Sequence, residues 1–325
     1  MRAYVLYENA DWMPPLRQAL EAEGVPFDEW FIGPGFVDLA GEPPPGVFLN
    51  RMSPSSHTRG HAESIALTKQ ILHWLEACGR RVINGTRAFA LEVSKVAQYT
   101  ALQRHGLRTP HTVAVAGGVP ALRAAVRNID CPFITKHNCG GKGLGVQLFR
   151  SYESFDEYIT SPRFVESPDQ ITLLQEYVEP REPFITRVEL VDGAFQYAIQ
   201  VDTSRGFQLC PAEACSVEEA FCPAGEAAAA PADTSGNRQN LFRLREGFDH
   251  AIIAQYARFA AEQGIDLAGF EFIEAQDGAC ITYDINGTTN YSPAVEQQHG
   301  LSGMRAVAQL VKRELADAIT RAGCQ

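Results

Sequence analysis

The sequence predicts an α/β protein that opens on a mainly parallel sheet and continues into antiparallel hairpins, and three observations carry that expectation. Short apolar strands alternate with helical patterns up to about residue 90, which is the signature of a small parallel-sheet unit. Later strands are joined by glycine-bearing turns, at Asp192-Gly193 and Asp277-Gly278, as antiparallel hairpins require. The chain has 325 residues, 45% hydrophobic and 21% charged, enough to bury a sizeable core and divide into two or three lobes.

Composition also excludes function classes. No apolar run approaches a membrane span, and the opening MRAYVLYENADW reads as a strand rather than a signal peptide. A net charge of −11 argues against a general nucleic-acid surface, while leaving room for a local basic pocket that binds phosphates. The eight cysteines are scattered among ordinary core segments, so reduced thiols in a cytoplasm are expected. Cys210, Cys215 and Cys222 cluster, but they lack a CxxC pair and a nearby histidine, and no zinc site is expected there.

Taken in order, Arg2–Tyr7 is a short strand, and Pro14–Glu23 has helical spacing closed by Gly24. Phe27–Ile32 and Val47–Asn50 read as strands, His61–Cys78 as a long amphipathic helix and Arg81–Asn84 as another strand. Ligands of parallel sheets gather at the carboxyl ends of the strands. The polar run Asn50–His57 leaves a strand directly and is therefore a candidate substrate loop, with Arg51, Ser53 and His57 as candidate contacts. Arg51 has the fork that grips a carboxylate or phosphate, and His57, Arg59 and His61 together suit an anion. Loops are polar in any case, so a purely structural role stands beside each of these readings.

Residues 91–106 form a helix with Ser94 and Lys95 near its start, followed by a strand at Thr112–Ala116 and a helix at Val119–Asn128. A strand ending in Lys136 then meets four glycines within six residues, Gly140, Gly141, Gly143 and Gly145, before a second strand begins at Val146. Glycine lets the backbone approach a ligand closely, so such amides can cradle phosphates. The run lacks the Lys-Ser/Thr ending of the phosphate loop and precedes no helix, which excludes the dinucleotide fingerprint too. A strand–loop–strand flap covering a triphosphate fits better than a plain hairpin with a flexible tip. Thr172–Val178 is a buried strand, and Ile185–Val191 with Phe195–Val201 form a hairpin on which Arg187 and Glu189 share a face. Residues 203–240 are too long for a routine connection and suggest a functional loop or insertion. Glu246–Glu262 is a helix closed by Gly264, and Ser302–Ala322 is a final amphipathic one.

The stretch Gly269–Asn290 carries the most chemistry. With Asp277-Gly278 as a two-residue turn, Gln276 faces Ala279, and counting outward sets Glu271 opposite Asp284. Asn286 falls on the same face by the period of two, while Phe270, Phe272, Tyr283 and Ile285 fall on the core face. Facing carboxylates repel by up to roughly 1 kcal/mol unless a positive group sits between them. Two carboxylates and an amide suit a hard cation, magnesium carried with substrate phosphates being the obvious one. A solvated acidic face on an ordinary hairpin stands level with that reading on this stretch alone.

Together, Lys95, Lys136 with its flap, the strand Gln175-Glu176-Tyr177-Val178 and the hairpin Glu271…Asp284-Ile285-Asn286 resemble the ATP-grasp superfamily, most closely its RimK-like carboxylate–amine ligases. The resemblance covers roughly residues 90–300 in motif order. It implies a Rossmann-like pre-ATP-grasp domain over residues 1–92, a small lobe with the flap over 93–173, and a large lobe over 174–325 with the insertion 203–240. It further implies that Lys95 and Lys136 hold ATP phosphates and that the flap Gly140, Gly141, Lys142, Gly143 and Gly145 closes over them. Glu176, Tyr177 and Val178 would meet adenine, Glu182 the ribose, and Gln208 the nucleotide. Glu271, Asp284 and Asn286 would bind magnesium or manganese. Arg187, with Lys136, would stabilise the transferring phosphoryl group, ion pairing of Arg187 with Glu189 being the structural alternative. Three features depart from the family pattern: Ile185 stands where many members are acidic, His137 where proline is common, and Gly206–Cys210 differs from the relatives' loop.

The implied reaction activates a carboxylate as an acylphosphate, which an amine then attacks to give an amide. Such catalysis is mostly positioning and charge neutralisation. A grasp-fold kinase that stops after phosphoryl transfer, and an ATP-binding regulatory subunit without chemistry, are the competing readings. Small molecules or peptides carrying the carboxylate and the amine are the expected partners, with no direct nucleic acid and no membrane. A homodimer or homotetramer is usual among such proteins. Asn50–His61, the insertion and Asn290 are expected to frame the acceptor.

Overall fold

The computed structural model of the chain describes residues 1–141, 143, 145–204 and 241–323. Four strands, β1 (Arg2–Tyr7), β2 (Phe27–Phe31), β3 (Gly46–Arg51) and β4 (Arg81–Ile83), form a parallel sheet in the order β2-β1-β3-β4. Helix α1 (Met13–Ala22) covers one face and α2 (Ser64–Ala77) the other, as parallel strands buried on both sides require. Every residue of β3 is buried, which is why its sequence shows no alternation.

The expected helix over 91–106 is two helices, α3 (Thr86–Glu92) and α4 (Lys95–Arg104). The break has a local cause. Ser94 takes extended backbone and caps α4 by accepting from Ala97 N at 3.2 Å. Asn138 adds a second cap, its side-chain oxygen accepting from Val96 N at 2.9 Å and its carbonyl from Lys95 N at 3.1 Å. Lys95 is thereby fixed as the first residue of α4.

A second sheet holds β5 (Thr112–Ala116), β6 (Phe133–His137), β7 (Gln147–Phe149) and β8 (Ile171–Glu176) in the antiparallel order β5-β8-β6-β7. Helices α5 (Gly118–Ala125) and α6 (Tyr152–Ile159) bury its apolar face around Phe133, Phe149 and Phe155. The third sheet runs β11-β10-β9-β12-β13, built from β9 (Phe184–Val191), β10 (Ala194–Asp202), β11 (Phe242–Leu244), β12 (Leu267–Glu274) and β13 (Cys280–Asn286). Helix α7 (Ile252–Gln263) packs Tyr256 and Phe259 on Phe270. It begins six residues later than the spacing from Glu246 suggests, after Gly247 at φ 64°. The opposite face of this sheet shares a core with α1 and α9 (Gly303–Gly323), and α8 (Pro293–His299) leads into α9. Among the described residues no helix is long and apolar enough to cross a membrane.

Asn84 joins the first and third sheets. It sits at φ 53°, and its amide donates to Leu267 O at 2.9 Å and Gly287 O at 2.8 Å while accepting from Asp266 N at 2.8 Å and Leu267 N at 3.1 Å. Asparagine tolerates this left-handed conformation better than most residues.

Candidate active site

The site lies on one face of β9, β12 and β13, where registration creates two cross-strand rows. Arg187, Glu271 and Asp284 pair in one row, and Glu189, Gly269 and Asn286 in the next. Glu271 does face Asp284, but the route to that pairing differs from the one expected. Asp277-Gly278 is not a two-residue turn. Only Gly278 has positive φ, 80°, and the ladder closes with Ala275 N donating to Ala279 O at 2.9 Å across a three-residue loop. That shifts the register by one residue, and a bulge on β13 shifts it back between Phe272↔Thr282 and Glu271↔Asp284. The extra residue of the bulge is Tyr283. Instead of joining Phe270, Phe272 and Ile285 on the core face, it points to the site, and its hydroxyl donates to Glu271 Oε2 at 2.8 Å.

Glu271 is held by three donors, since Arg187 Nη1 at 2.9 Å and Asn286 Nδ2 at 3.1 Å both meet Oε1. Burial pushes its carboxyl up, and the pull of Arg187 does not fully reverse this because Asp284 repels it. Burial would raise Asp284 as well, but Lys95, Lys136 and Arg187 outweigh burial and hold it below the usual carboxylate range. Lys95 donates from the first turn of α4 to Asp284 Oδ1. Lys136 donates to Tyr283 O at 3.1 Å and lies 5.3 Å from the Tyr283 ring centre. Arg187 reaches Glu189 Oε1 at 2.6 Å and the Thr289 hydroxyl, and is 3% exposed. Three cations and three carboxylates therefore balance on this face.

A narrow cavity brings Lys95, Lys136, Gly140, Gly141, Gly143, Glu271, Asp284 and Asn286 together, with His137 and Val146 in its wall. Gly143 and Gly145 have φ of 73° and 71°, which explains glycine at both positions. Among the described residues no three His, Cys, Asp or Glu side chains gather as a metal-binding group. The candidate set is two carboxylates and an amide. Asn286 turns its nitrogen to Glu271, which leaves its carbonyl oxygen for a hard cation, so the donor chemistry fits magnesium.

No protein-family model matches the sequence, and no curated protein is significantly similar to it. Solved structures are similar over nearly the whole chain. D-cycloserine synthetase DcsG superposes with a TM-score of 0.65 at 19% identity, covering 96% of this chain and 99% of that one. A RimK domain ATP-grasp protein from Sphaerobacter thermophilus gives 0.62 at 15%, covering 95% and 98%. The ATP-grasp ligase PsnB, complexed with precursor peptide PsnA2 and AMPPNP, gives 0.60 at 14%, covering 96% and 97%. The chain has the ATP-grasp fold.

Within this ATP-grasp fold the other expected site residues scatter. Glu176 ends β8, its carboxylate accepting from His111 N at 2.9 Å, with Tyr177 and Val178 half-buried beyond it and Glu182 exposed. Lys142, Gln208 and the cysteines of the insertion lie outside the described residues. Arg51 is not free to fork onto a substrate. It is 2% exposed and donates to Thr289 O and Asn290 Oδ1, both at 2.8 Å, which engages Asn290 as well. Ser53 bonds the Ser55 hydroxyl at 2.8 Å, and His57 is half-buried. Nor do Arg59 and His61 await an anion: both bind the buried Glu8 carboxylate, at 2.6 and 2.7 Å.

Sequence reasoning missed the residues that hold the strand carrying Asp284 and Asn286 in place. Gln98 donates to Ile285 O at 2.8 Å and accepts from Ile285 N at 3.1 Å, satisfying the open edge of β13. Glu92 accepts from Gly287 N and, at 2.9 Å, from the Thr288 hydroxyl. The Tyr99 hydroxyl lies 2.9 Å from Tyr283 O. No local pattern marks these residues, because their partners are 184 to 196 positions away.

Proposed function

We propose that this chain is an ATP-dependent carboxylate–amine ligase that forms an amide from amino acid or small peptide substrates. The observation that carries the reading is the juxtaposition of an oxygen-ligand row with two buried lysines beneath a glycine turn. The fold neighbours add support, because two of the three named ones are a synthetase and a ligase. Magnesium held by Glu271, Asp284 and the Asn286 oxygen would neutralise phosphate charge and polarise the transferring group. Lys95 and Lys136 meet the phosphates, and Lys95 exchanges Asp284 for a phosphate oxygen when nucleotide enters. The glycine turn excludes water, so the acylphosphate formed from the substrate carboxylate meets an amine before it meets water. Arg187 has its guanidinium enclosed by Glu189, Glu271 and Thr289, and on this reading it orients Glu271 rather than touching the phosphoryl group.

The test is ADP release with panels of carboxylates and amines, followed by mass analysis of the product. Release that depends on both, with an amide as product, supports the ligase. Release without an amine, together with a stable phosphorylated product, would replace it with a kinase.

A further inference from the structure

Asn138 uses every one of its polar atoms, and the partners lie on three segments of the chain. It carries the β6 ladder one residue further, its backbone N–H donating to Ile171 O at 3.1 Å. Strand alternation puts its side chain on the same face as that of Lys136, two residues earlier. That face meets α4. The Asn138 carbonyl accepts from Lys95 N at 3.1 Å, and its side-chain oxygen accepts from Val96 N at 2.9 Å and from the Ser94 hydroxyl at 3.3 Å. The remaining atom, Nδ2, donates to Asp169 Oδ2 in the loop before β8. A carboxylate only accepts, so Asp169 decides which way the amide faces and turns its oxygen to the helix. Asp169 is held in its turn. Its Oδ1 accepts from the Ser167 hydroxyl at 2.6 Å and from Ile171 N at 3.3 Å. Ser167 Oγ also accepts from Cys139 N at 3.3 Å, which anchors the chain where the glycine turn begins.

We propose that Asn138 is a positioning residue: clasped by Asp169, it pins the first turn of α4 to the end of β6 and so sets Lys95 and Lys136 together for one polyphosphate. This rests on the reading above that both lysines meet ATP phosphates. The two come from different elements, yet their side chains converge on consecutive residues of β13. Lys95 donates to Asp284 Oδ1, and Lys136 to Tyr283 O at 3.1 Å. Two cations on long side chains repel each other and lose rotamer freedom when one ligand gathers them. Pinning their backbones in advance removes part of that cost. When Lys95 leaves Asp284 for a phosphate oxygen, the pinned helix confines the exchange to rotation of the side chain. Asn138 touches no phosphate in this scheme and acts through the lysines.

Calorimetric titration of magnesium-ADP, run well below the melting temperature of each variant, tests the role. Asn138→Ala removes both the cap and the clasp. It is expected to weaken binding by roughly tenfold, the worth of one charge-assisted hydrogen bond. Asn138→Asp keeps an acceptor for Val96 N but sets two carboxylates face to face, and it should weaken binding too. Combining Asn138→Asp with Asp169→Asn exchanges donor and acceptor across the same contact and should bring affinity back toward that of the wild type. A contact that serves only the fold would lower the melting temperature and leave the affinity of the folded protein unchanged. Wild-type affinity in Asn138→Ala or Asn138→Asp would therefore overturn the proposal while leaving the nucleotide site intact. A double variant that binds no better than Asn138→Asp would overturn it as well. Absence of any heat and any thermal shift with nucleotide in the wild type would overturn the nucleotide site itself, and this proposal with it.

Discussion

Gly269 lies directly beneath the Arg187 guanidinium: a Cβ there would stand 2.5 Å from Nη2, 2.6 Å from Nε and 2.7 Å from Cζ. Arg187 cannot yield, because Glu189, Glu271 and Thr289 hold it on three sides. Gly269→Ala is expected to destabilise the protein by about 1–3 kcal/mol through overpacking and to reduce ATP turnover as Glu271 loses its partner. Gly278→Ala is the matched control. It meets nothing within 4 Å and is strained only by its φ of 80°. It should lower stability by about 1 kcal/mol and leave turnover unchanged. Melting temperature and ADP release separate the two.

Asp284 is the carboxylate on which the metal reading depends most. Replacing it with alanine would also strand the buried Lys95, at a cost of roughly 3–5 kcal/mol, so Asp284→Asn is the cleaner variant. It should remain folded by circular dichroism while losing ADP release by about a hundredfold or more. Full magnesium-dependent turnover in that variant would remove Asp284 from the site.

Lys136→Ala removes a cation from the cavity wall without leaving a directly paired carboxylate behind. The apparent KM for ATP should rise by roughly tenfold or more, since a charged hydrogen bond is worth about 1.5–3 kcal/mol. Unchanged ATP kinetics would exclude Lys136 from the phosphates.

Tyr283→Phe deletes the hydroxyl that donates to Glu271. That bond favours the ionised carboxylate, so its loss raises the Glu271 pKa further. Magnesium requires the ionised form, so activity should fall as pH is lowered, and should fall at a higher pH in the variant than in the wild type. Magnesium titrations of ADP release at several pH values check the direction. An identical pH profile would mean that the hydroxyl does not tune the site.

Asn84→Gly keeps the φ of 53° accessible but removes four hydrogen bonds, two of them donated to Leu267 O and Gly287 O. Asn84→Ala removes the same bonds and adds strain. Both should unfold at lower denaturant, with alanine worse than glycine by roughly 1 kcal/mol. Equal losses would show that the backbone strain has no energetic weight.

Much of the architecture was legible in the sequence because it follows from local chemistry. The alternation of apolar strands and helices predicts the parallel opening sheet, and Asp192-Gly193 is the two-residue turn it resembles, both residues having positive φ. The cross-strand facing of Glu271 and Asp284 was also legible, though through two offsetting errors. Asp277-Gly278 looks the same as Asp192-Gly193 in sequence, yet Asp277 does not adopt positive φ. The bulge at Tyr283 restores the register that the longer loop displaces. Turn type and bulge are settled by what the strand packs against, including β9 on one side of the hairpin and Gln98 on the other. None of that is local.

The same distinction separates the side chains. Period and spacing set which residues share a strand face, Arg187 with Glu189 on one hairpin and Glu271, Asp284 and Asn286 on the other, while the candidacy of Arg187 came from the family resemblance. Whether a polar side chain is free or already bonded depends on partners far along the chain. Arg51 is held by Thr289 and Asn290, some 238 residues away, and Arg59 by Glu8, 51 residues back. Sequence determined the order of the elements and the faces of the strands, because backbone sterics and side-chain period act over a few residues. Only the tertiary structure decided which charges meet, because burial makes each buried charge find a partner wherever in the chain the fold delivers one.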